Sequence, residues 1–236
     1  DYNPGFIVET GTAEQSGIIS VAVPWGNGII KFGDGRLVLS AANNITKSVH
    51  SWAGILELAH NGAAGTRNIW LSGGGLGYGI GVTISNDVQL GAANNVFDVR
   101  LGTANQSGII YYIEPVVGTV EKTGAGTLIL SAANTYIGGT TITGGTLQIG
   151  NAGTTGSIPG DVLNNANLAF NRSDNITFGG DISGSGGLTK LGTNLLTLRG
   201  TNTYAGATNI QDGTLQIGDG GMVGSIAGSG VDNSGQ

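Results

Sequence analysis

The stretch Lys122 to Gly150, KTGAGTLILSAANTYIGGTTITGGTLQIG, returns as Lys190 to Gly218, KLGTNLLTLRGTNTYAGATNIQDGTLQIG, with 16 of 29 positions identical by direct count. The offset between the copies is 68 positions. A fainter copy runs from Lys31 to Ala59, sharing 11 of 29 positions at an offset of 91. Gly11 to Ile19, GTAEQSGII, matches Gly102 to Ile110, GTANQSGII, at that same offset of 91. Two offsets that differ by 23 positions suggest stacked, interchangeable units of roughly that length, since periods of about 20 to 50 residues mark solenoids. On that ruler the offsets are about four coils and about three.

Local pattern decides which solenoid. Within the strongest copy, Thr127 to Ser131, Thr140 to Thr143 and Thr146 to Ile149 are short alternating runs bounded by Gly-Gly or Gly-Thr, as strands of a coil would be. Leu128, Leu130, Ile142, Leu147 and Ile149 would point inward, with Leu196, Leu198, Ile210, Leu215 and Ile217 as their counterparts. Leu168, Phe170, Ile176, Phe178, Ile182, Leu188 and Leu191 would fill the coils between. Earlier strands are expected at Phe6 to Val8, Ile18 to Val23, Arg36 to Ser40, Ile55 to Leu58, Asn68 to Leu71, Val82 to Ile84 and Val116 to Val120. Pro24-Trp25-Gly26-Asn27-Gly28 reads as a turn, and so does the glycine run Gly73 to Gly79. Asn43, Asn134 and Asn202 share one slot of the repeat, where a structural corner is expected.

Composition narrows the class. With 46 glycines in 236 residues and only 10% charged residues, helical repeats are disfavoured, because glycine costs about 1 kcal/mol in a helix interior. The absence of cysteine excludes disulfides and thiolate metal sites. A net charge of −6 with scattered basic residues offers no patch for nucleic acid or anionic membranes. No basic leader and no run of 18 apolar residues occurs.

The segment GTLILSAANTYIGGTTITGGTLQIG closely resembles the passenger-associated, or autotransporter-associated β-strand, repeat of bacterial type V secretion passenger domains. The second copy departs at Asn194-Leu195, Ala207 and Gln211-Asp212. The first keeps Leu37, Leu39, Ser40, Asn43, Gly54 and Leu56 without the GGTT element. The resemblance implies an all-β fold, a right-handed parallel β-helix. The whole chain, 1–236, is expected to be a single β-solenoid domain of about ten coils, each of roughly 23 residues. It is expected to be a fragment of a longer passenger, with repeats at 31–59 (partial), 122–150 and 190–218. The resemblance also implies display at the cell surface by a C-terminal outer-membrane β-barrel. The expected role is a non-enzymatic rigid stalk or adhesin. Its partners would be a host surface, extracellular matrix or glycan, or like copies on neighbouring cells, and its solenoid ends or edges could self-associate.

Catalytic alternatives find little support residue by residue. A carbohydrate-active β-helix would need three or more Asp, Glu, Arg or Lys side chains converging in one groove. The acids are dispersed, as in Asp87 and Asp98, Glu114 and Glu121, or Asp174 and Asp181; Asp34 and Glu57 do stand one presumed coil apart, a separation that chance explains. The histidines, His50 and His60, belong to no catalytic motif and read as surface residues. Gly73 to Gly79 lacks the helix and the Gly-Lys-Ser/Thr of a phosphate loop. Gly228 to Asp232 echoes a calcium nonapeptide only in fragment. Thr141-Ile142-Thr143 is not repeated as an ice-binding ladder, since its counterpart is Asn209-Ile210-Gln211, and the sequons at Asn44, Asn105, Asn171 and Asn175 carry little information. No catalytic, cofactor-binding or metal-ligating residue is therefore assigned. If function is more than length and stiffness, it should lie on the variable coils around Trp52 to Tyr78.

Overall fold

A computed structural model describes residues 5–21, 28–220, 224–228 and 230–234. Every strand pairing among them is parallel, there is no helix, and the chain winds as a β-solenoid of about 11 turns. At ~4.8 Å per turn the rod is roughly 50 Å long.

Each turn has three faces. Face one carries the six-stranded sheet from Gly5–Ile7 to Ile110–Tyr112 and, further along, the three strands Ile176–Phe178, Leu195–Leu198 and Thr214–Ile217. Face two carries nine strands from Thr12–Gln15 to Ile182–Ser183, continued by Thr201–Asn202 and Ser225–Ile226. Face three begins with Ser20–Val21 and Asn44–Ile45 and continues as eight strands from Thr83–Ile84 to Val231–Asn233. Register steps are uneven. Leu37 stacks on Leu56 in a short turn, Leu56 on Leu76 in one longer by a single position, and Phe97 on Lys122 in a turn longer again.

The repeat offsets are therefore not whole numbers of coils. Stepping from Lys31 through Ser51, Leu71 and Leu90 reaches Tyr112 after four turns; the remaining chain carries it round a corner to Lys122. Likewise Lys122 stacks on Ile142 and Asn164, the third turn ends at Gly184, and Lys190 lies one corner further on. The other matched pair behaves identically, with Thr12–Gln15 on face two and Thr103–Gln106 on face three. Each copy is thus turned by one face relative to the copy before it. Each copy runs somewhat beyond one turn, visiting two faces twice and the third once, and corresponding outward residues of the three copies look in three different directions.

Inside, the expected ladder holds. Leu128, Leu130, Ile142, Leu147, Leu168, Ile182, Leu188, Leu196 and Leu198 are fully buried, and Ile149, Phe170, Phe178 and Ile210 nearly so. Fully burying one such side chain contributes about 1.5 to 3 kcal/mol. Leu191 is half-exposed and stands outside the core cluster, because it follows inward-facing Lys190 in an alternating strand. Leu215 is half-buried and Ile217 exposed, since Thr214–Ile217 has no strand beyond it in its sheet among the described residues.

Several boundaries move. The strand expected at Val116 to Val120 is Thr119–Thr123, Thr146 to Ile149 extends to Gly153, and of Ile18 to Val23 the strand starts at Ser20 and includes Val21, with Ala22 and Val23 outside the described residues. The turn at Pro24 to Asn27 and Ser229 of the Gly228 to Asp232 fragment lie outside the described residues. The glycine run holds a strand, Gly75–Tyr78, rather than a turn alone. A Cβ on Gly75 would meet Ile55 Cδ1 at 2.7 Å, and one on Gly77 would meet Arg36 Nη1 at 2.6 Å, so these glycines leave room for side chains reaching from neighbouring turns.

Corner chemistry explains the rest of the repeat. Lys31, Lys122 and Lys190 are all fully buried. Lys122 Nζ donates to the carbonyls of Thr123 at 2.6 Å, Gly124 at 2.9 Å and, one turn on, Gly144 at 3.0 Å. Lys31 makes the same three contacts, to Phe32, Gly33 and Ala53, and Lys190 reaches Gly192 and Asp212. Gly54, Gly145 and Gly213 follow the three lysines at one common interval, with φ of 60°, 64° and 70°. A Cβ there would lie 2.3 to 2.4 Å from a carbonyl oxygen of the preceding turn, so only glycine fits.

Asn43, Asn134 and Asn202 are the structural corners expected: their Oδ1 atoms accept the N–H groups of Ile19, Ile110 and Ile182 in the preceding turn. Tyr136 and Tyr204, fully buried, pair through their hydroxyls with Thr140 at 2.7 Å and Thr208 at 2.5 Å. In the first copy the same two slots hold Ile45 and Val49. Both partners have been exchanged together, which avoids leaving one hydroxyl buried without a partner.

Candidate attachment surface

Inward positions are dictated by stacking, so a site must be sought on outward columns. On face one, Ile30, His50, Trp70, Gln89 and Tyr111 occupy one outward column in successive turns. Trp70 is 37% exposed and covers His50, with ring centroids 4.9 Å apart. Burial pulls the His50 pKa down, favouring the uncharged ring. His50 is buried rather than the surface residue its sequence context suggested, because strand alternation stacks it between Ile30 and Trp70. Tyr111 extends the column, its hydroxyl accepting from Asn68 Nδ2 at 2.8 Å and donating to Gln89 Oε1 at 3.3 Å. Beside the column Trp52 is 48% exposed and leans on Phe32, with ring centroids 5.6 Å apart. The result is a strip of half-exposed aromatic rings with amide groups between them. Exposed rings flanked by fixed polar groups suit recognition of ligands that are apolar on one face and hydroxylated or amidated at the edge.

Face two brings together what the sequence scattered. Arg36 Nη1 meets Glu57 Oε2 at 2.6 Å, and Arg36 Nη2 pairs with Asp98 Oδ2 across the space left by Gly77. Thr123 Oγ1 donates to the other oxygen of Asp98 at 2.9 Å. Glu57 stacks between Val38 and Gly77, so its one-coil pairing with Asp34 is not formed; Asp34 lies in the corner turn. Three charged side chains do converge, but one guanidinium engages both carboxylates and leaves neither as a free acid or base.

Several other acids are occupied at corners. Asp87 accepts the Ile109 N–H, Asp161 that of Asp181, Asp181 that of Thr201, and Arg172 binds Asp174. A shallow groove of about 350 Å³ near Ile137, Thr141 and Leu163 holds a single carboxylate, Asp161. Among the described residues no three His, Asp or Glu side chains gather as metal ligands would.

The pattern of the passenger-associated-transport repeat matches residues 29–66, 120–149 and 188–217. The chain carries passenger-associated-transport repeats. The matched spans coincide with the three blocks that hold the lysine cages and corner asparagines. The chain is also 35% identical over 179 residues to the Adhesin BmaC autotransporter of Brucella suis biovar 1 (strain 1330). That alignment covers 64% of this chain and 5% of the relative, so this chain spans a small part of that protein's length. No solved structure matches.

The buried lysines and the Arg36 cluster were not anticipated from sequence. A signal for the first existed: lysine occupies the same slot, followed two residues later by glycine, in all three copies. For the second there was none, because Arg36 and Asp98 are 62 residues apart and meet only through unequal register steps.

Proposed function

We propose that this chain is a non-enzymatic passenger segment that acts as a rigid stalk and takes part in attachment at the bacterial cell surface. In the full-length protein an outer-membrane β-barrel would hold it there. The observation that carries the reading is the aromatic strip of Trp52, Trp70 and Tyr111, the place where apolar rings stand outward on a rod whose aliphatic ladder faces in. A relative named an adhesin supports it. The partner would be a host surface, its matrix or glycan, or a like copy on a neighbouring cell, and the strip favours a ligand with apolar faces over a purely charged one. The Arg36, Glu57 and Asp98 cluster, in which one guanidinium holds both carboxylates, argues against a carbohydrate-active site.

The experiment is attachment of beads coated with the chain to host cells and to arrayed glycans. The double variant Trp52→Ala/Trp70→Ala should lose most attachment while its thermal transition stays close to the parent's. Equal attachment by the double variant would remove the strip from the proposal. Turnover of polysaccharide by the chain would defeat the non-enzymatic reading.

A further inference from the structure

The corner following strand Ile55–Leu58 holds three consecutive residues, His60, Asn61 and Gly62, that neither the repeat nor the attachment reading uses. His60 and Asn61 are exposed. The Gly62 N–H donates to His60 Nδ1 at 3.0 Å, and Asn61 Oδ1 accepts the N–H of Thr83, one turn on, at 2.8 Å. Gly62 is not required sterically. It has no positive φ, and an added Cβ would meet its nearest neighbour, Ala42, at an ordinary 3.4 Å, whereas Gly54, Gly65 and Gly145 would clash with backbone below 2.4 Å.

We propose that His60, Asn61 and Gly62 form a self-modifying site at which the Asn61 side-chain amide is converted to a carboxyl through a cyclic imide. The groups for ring closure are already paired with what each would need. The Gly62 nitrogen is the nucleophile, and an imidazole accepting its proton at Nδ1 acts as general base. The Asn61 carbonyl is the electrophile, and the Thr83 N–H stabilises negative charge developing on Oδ1. Gly62 N bonds to Asn61 Cγ, its proton passing to His60. The tetrahedral centre then collapses with cleavage of the Cγ–Nδ2 bond, and Nδ2 leaves as ammonia with that proton. Water adds to either carbonyl of the five-membered imide and opens it to aspartate or isoaspartate. One water is consumed, one ammonia is released, and nothing is oxidised or reduced. The isoaspartyl product lengthens the backbone beside the Asn43 N–H bond to the Gly62 carbonyl, 3.0 Å long, and so alters a contact between turns.

The sequence offers a clean readout, because cleavage after Lys47 and Arg67 releases residues 48–67, in which Asn61 is the one side-chain amide. The folded chain, its His60→Ala variant and the synthetic peptide 48–67 are incubated together, and the amide-to-acid mass change is followed. The folded chain should convert about tenfold faster than the peptide, within the reach of one positioned base. His60→Ala, an exposed substitution whose spectrum checks its fold, should fall to the peptide's rate or below. Folded chain no faster than peptide, or His60→Ala unchanged, overturns the proposal. Chain cleavage after Asn61 in place of conversion also overturns it, since Nδ2 would then be the nucleophile.

Discussion

The turns from Val49 to Tyr112 and the block from Thr119 to Gly153 have the same interior and different exteriors. Val49, Ile69, Val88 and Ile110 are as fully buried as Val120, Leu128, Ile142 and Leu147. Outside, the first region presents Trp52, Trp70 and Tyr111, and the second presents Glu121, Thr127, Thr141, Thr146 and Gln148. Stacking in register fixes what points inward, and it leaves outward columns free except where a corner must be closed. Because successive repeat blocks rotate by one face, their outward residues never line up into one long surface. The repeat's inward residues build the rod, and outward positions decorate it, Trp52 within the first copy and Trp70 and Tyr111 beyond it.

The largest expected effect tests the shared interior. Leu128→Asp puts a carboxylate in the ladder and should cost upward of about 4 kcal/mol, seen as loss of the cooperative urea transition. Retained stability would reverse the assigned facing. Lys122→Met tests the corner. It leaves three carbonyls without their donor and should cost about 2 kcal/mol, after relief of a buried charge is set against the lost contacts.

The same lysine gives a pH signature. Burial holds Lys122 down to about 8 from an ordinary 10.5, with Asp98 opposing. The unfolded chain therefore binds the proton more tightly, and stability should rise as pH climbs from about 8 to 10.5. Lys31 and Lys190 are lowered for the same reason. Lys122→Met should flatten part of that rise in urea midpoints; an identical slope would mean Lys122 titrates normally. Smaller still, Tyr136→Phe should cost about 1 kcal/mol, and adding Thr140→Val should recover most of it, as the Ile45 and Val49 pair implies. Trp70→Ala, on the free exterior, should shift stability by less than about 1 kcal/mol.

Much of this architecture is readable from the amino-acid pattern alone. Alternation in Arg36–Leu39 and Thr127–Leu130 tells which side chains enter the core, and the slot shared by Asn43, Asn134 and Asn202 marks the corners. What stays hidden depends on register. Coil length is uneven, short from Leu37 to Leu56 and long from Phe97 to Lys122, so a single repeating period could not place Glu57 over Val38 or bring Asp98 to Arg36. Nor could a pattern of apolar residues show that a lysine points inward, because its cage is made of backbone carbonyls that carry no signature. The attachment strip is legible only as a region: composition draws attention to Trp52 to Tyr78, but the column joining His50, Trp70 and Tyr111 needs the register.

The central claim is that each repeat turns by one face. The chain contains no cysteine, so spin labels can be placed in pairs on an otherwise label-free background. Gln148 shares its column with Ala169, Thr189 and Asn209, three turns away, whereas its sequence counterpart Gln216 lies on face one. Dipolar distance measurement should give Gln148→Cys with Asn209→Cys a separation near three turn spacings, about 14 Å between backbones. Gln148→Cys with Gln216→Cys should be longer. If instead the Gln148 and Gln216 pair gives the shorter distance, the copies are stacked in line and the rotation is wrong.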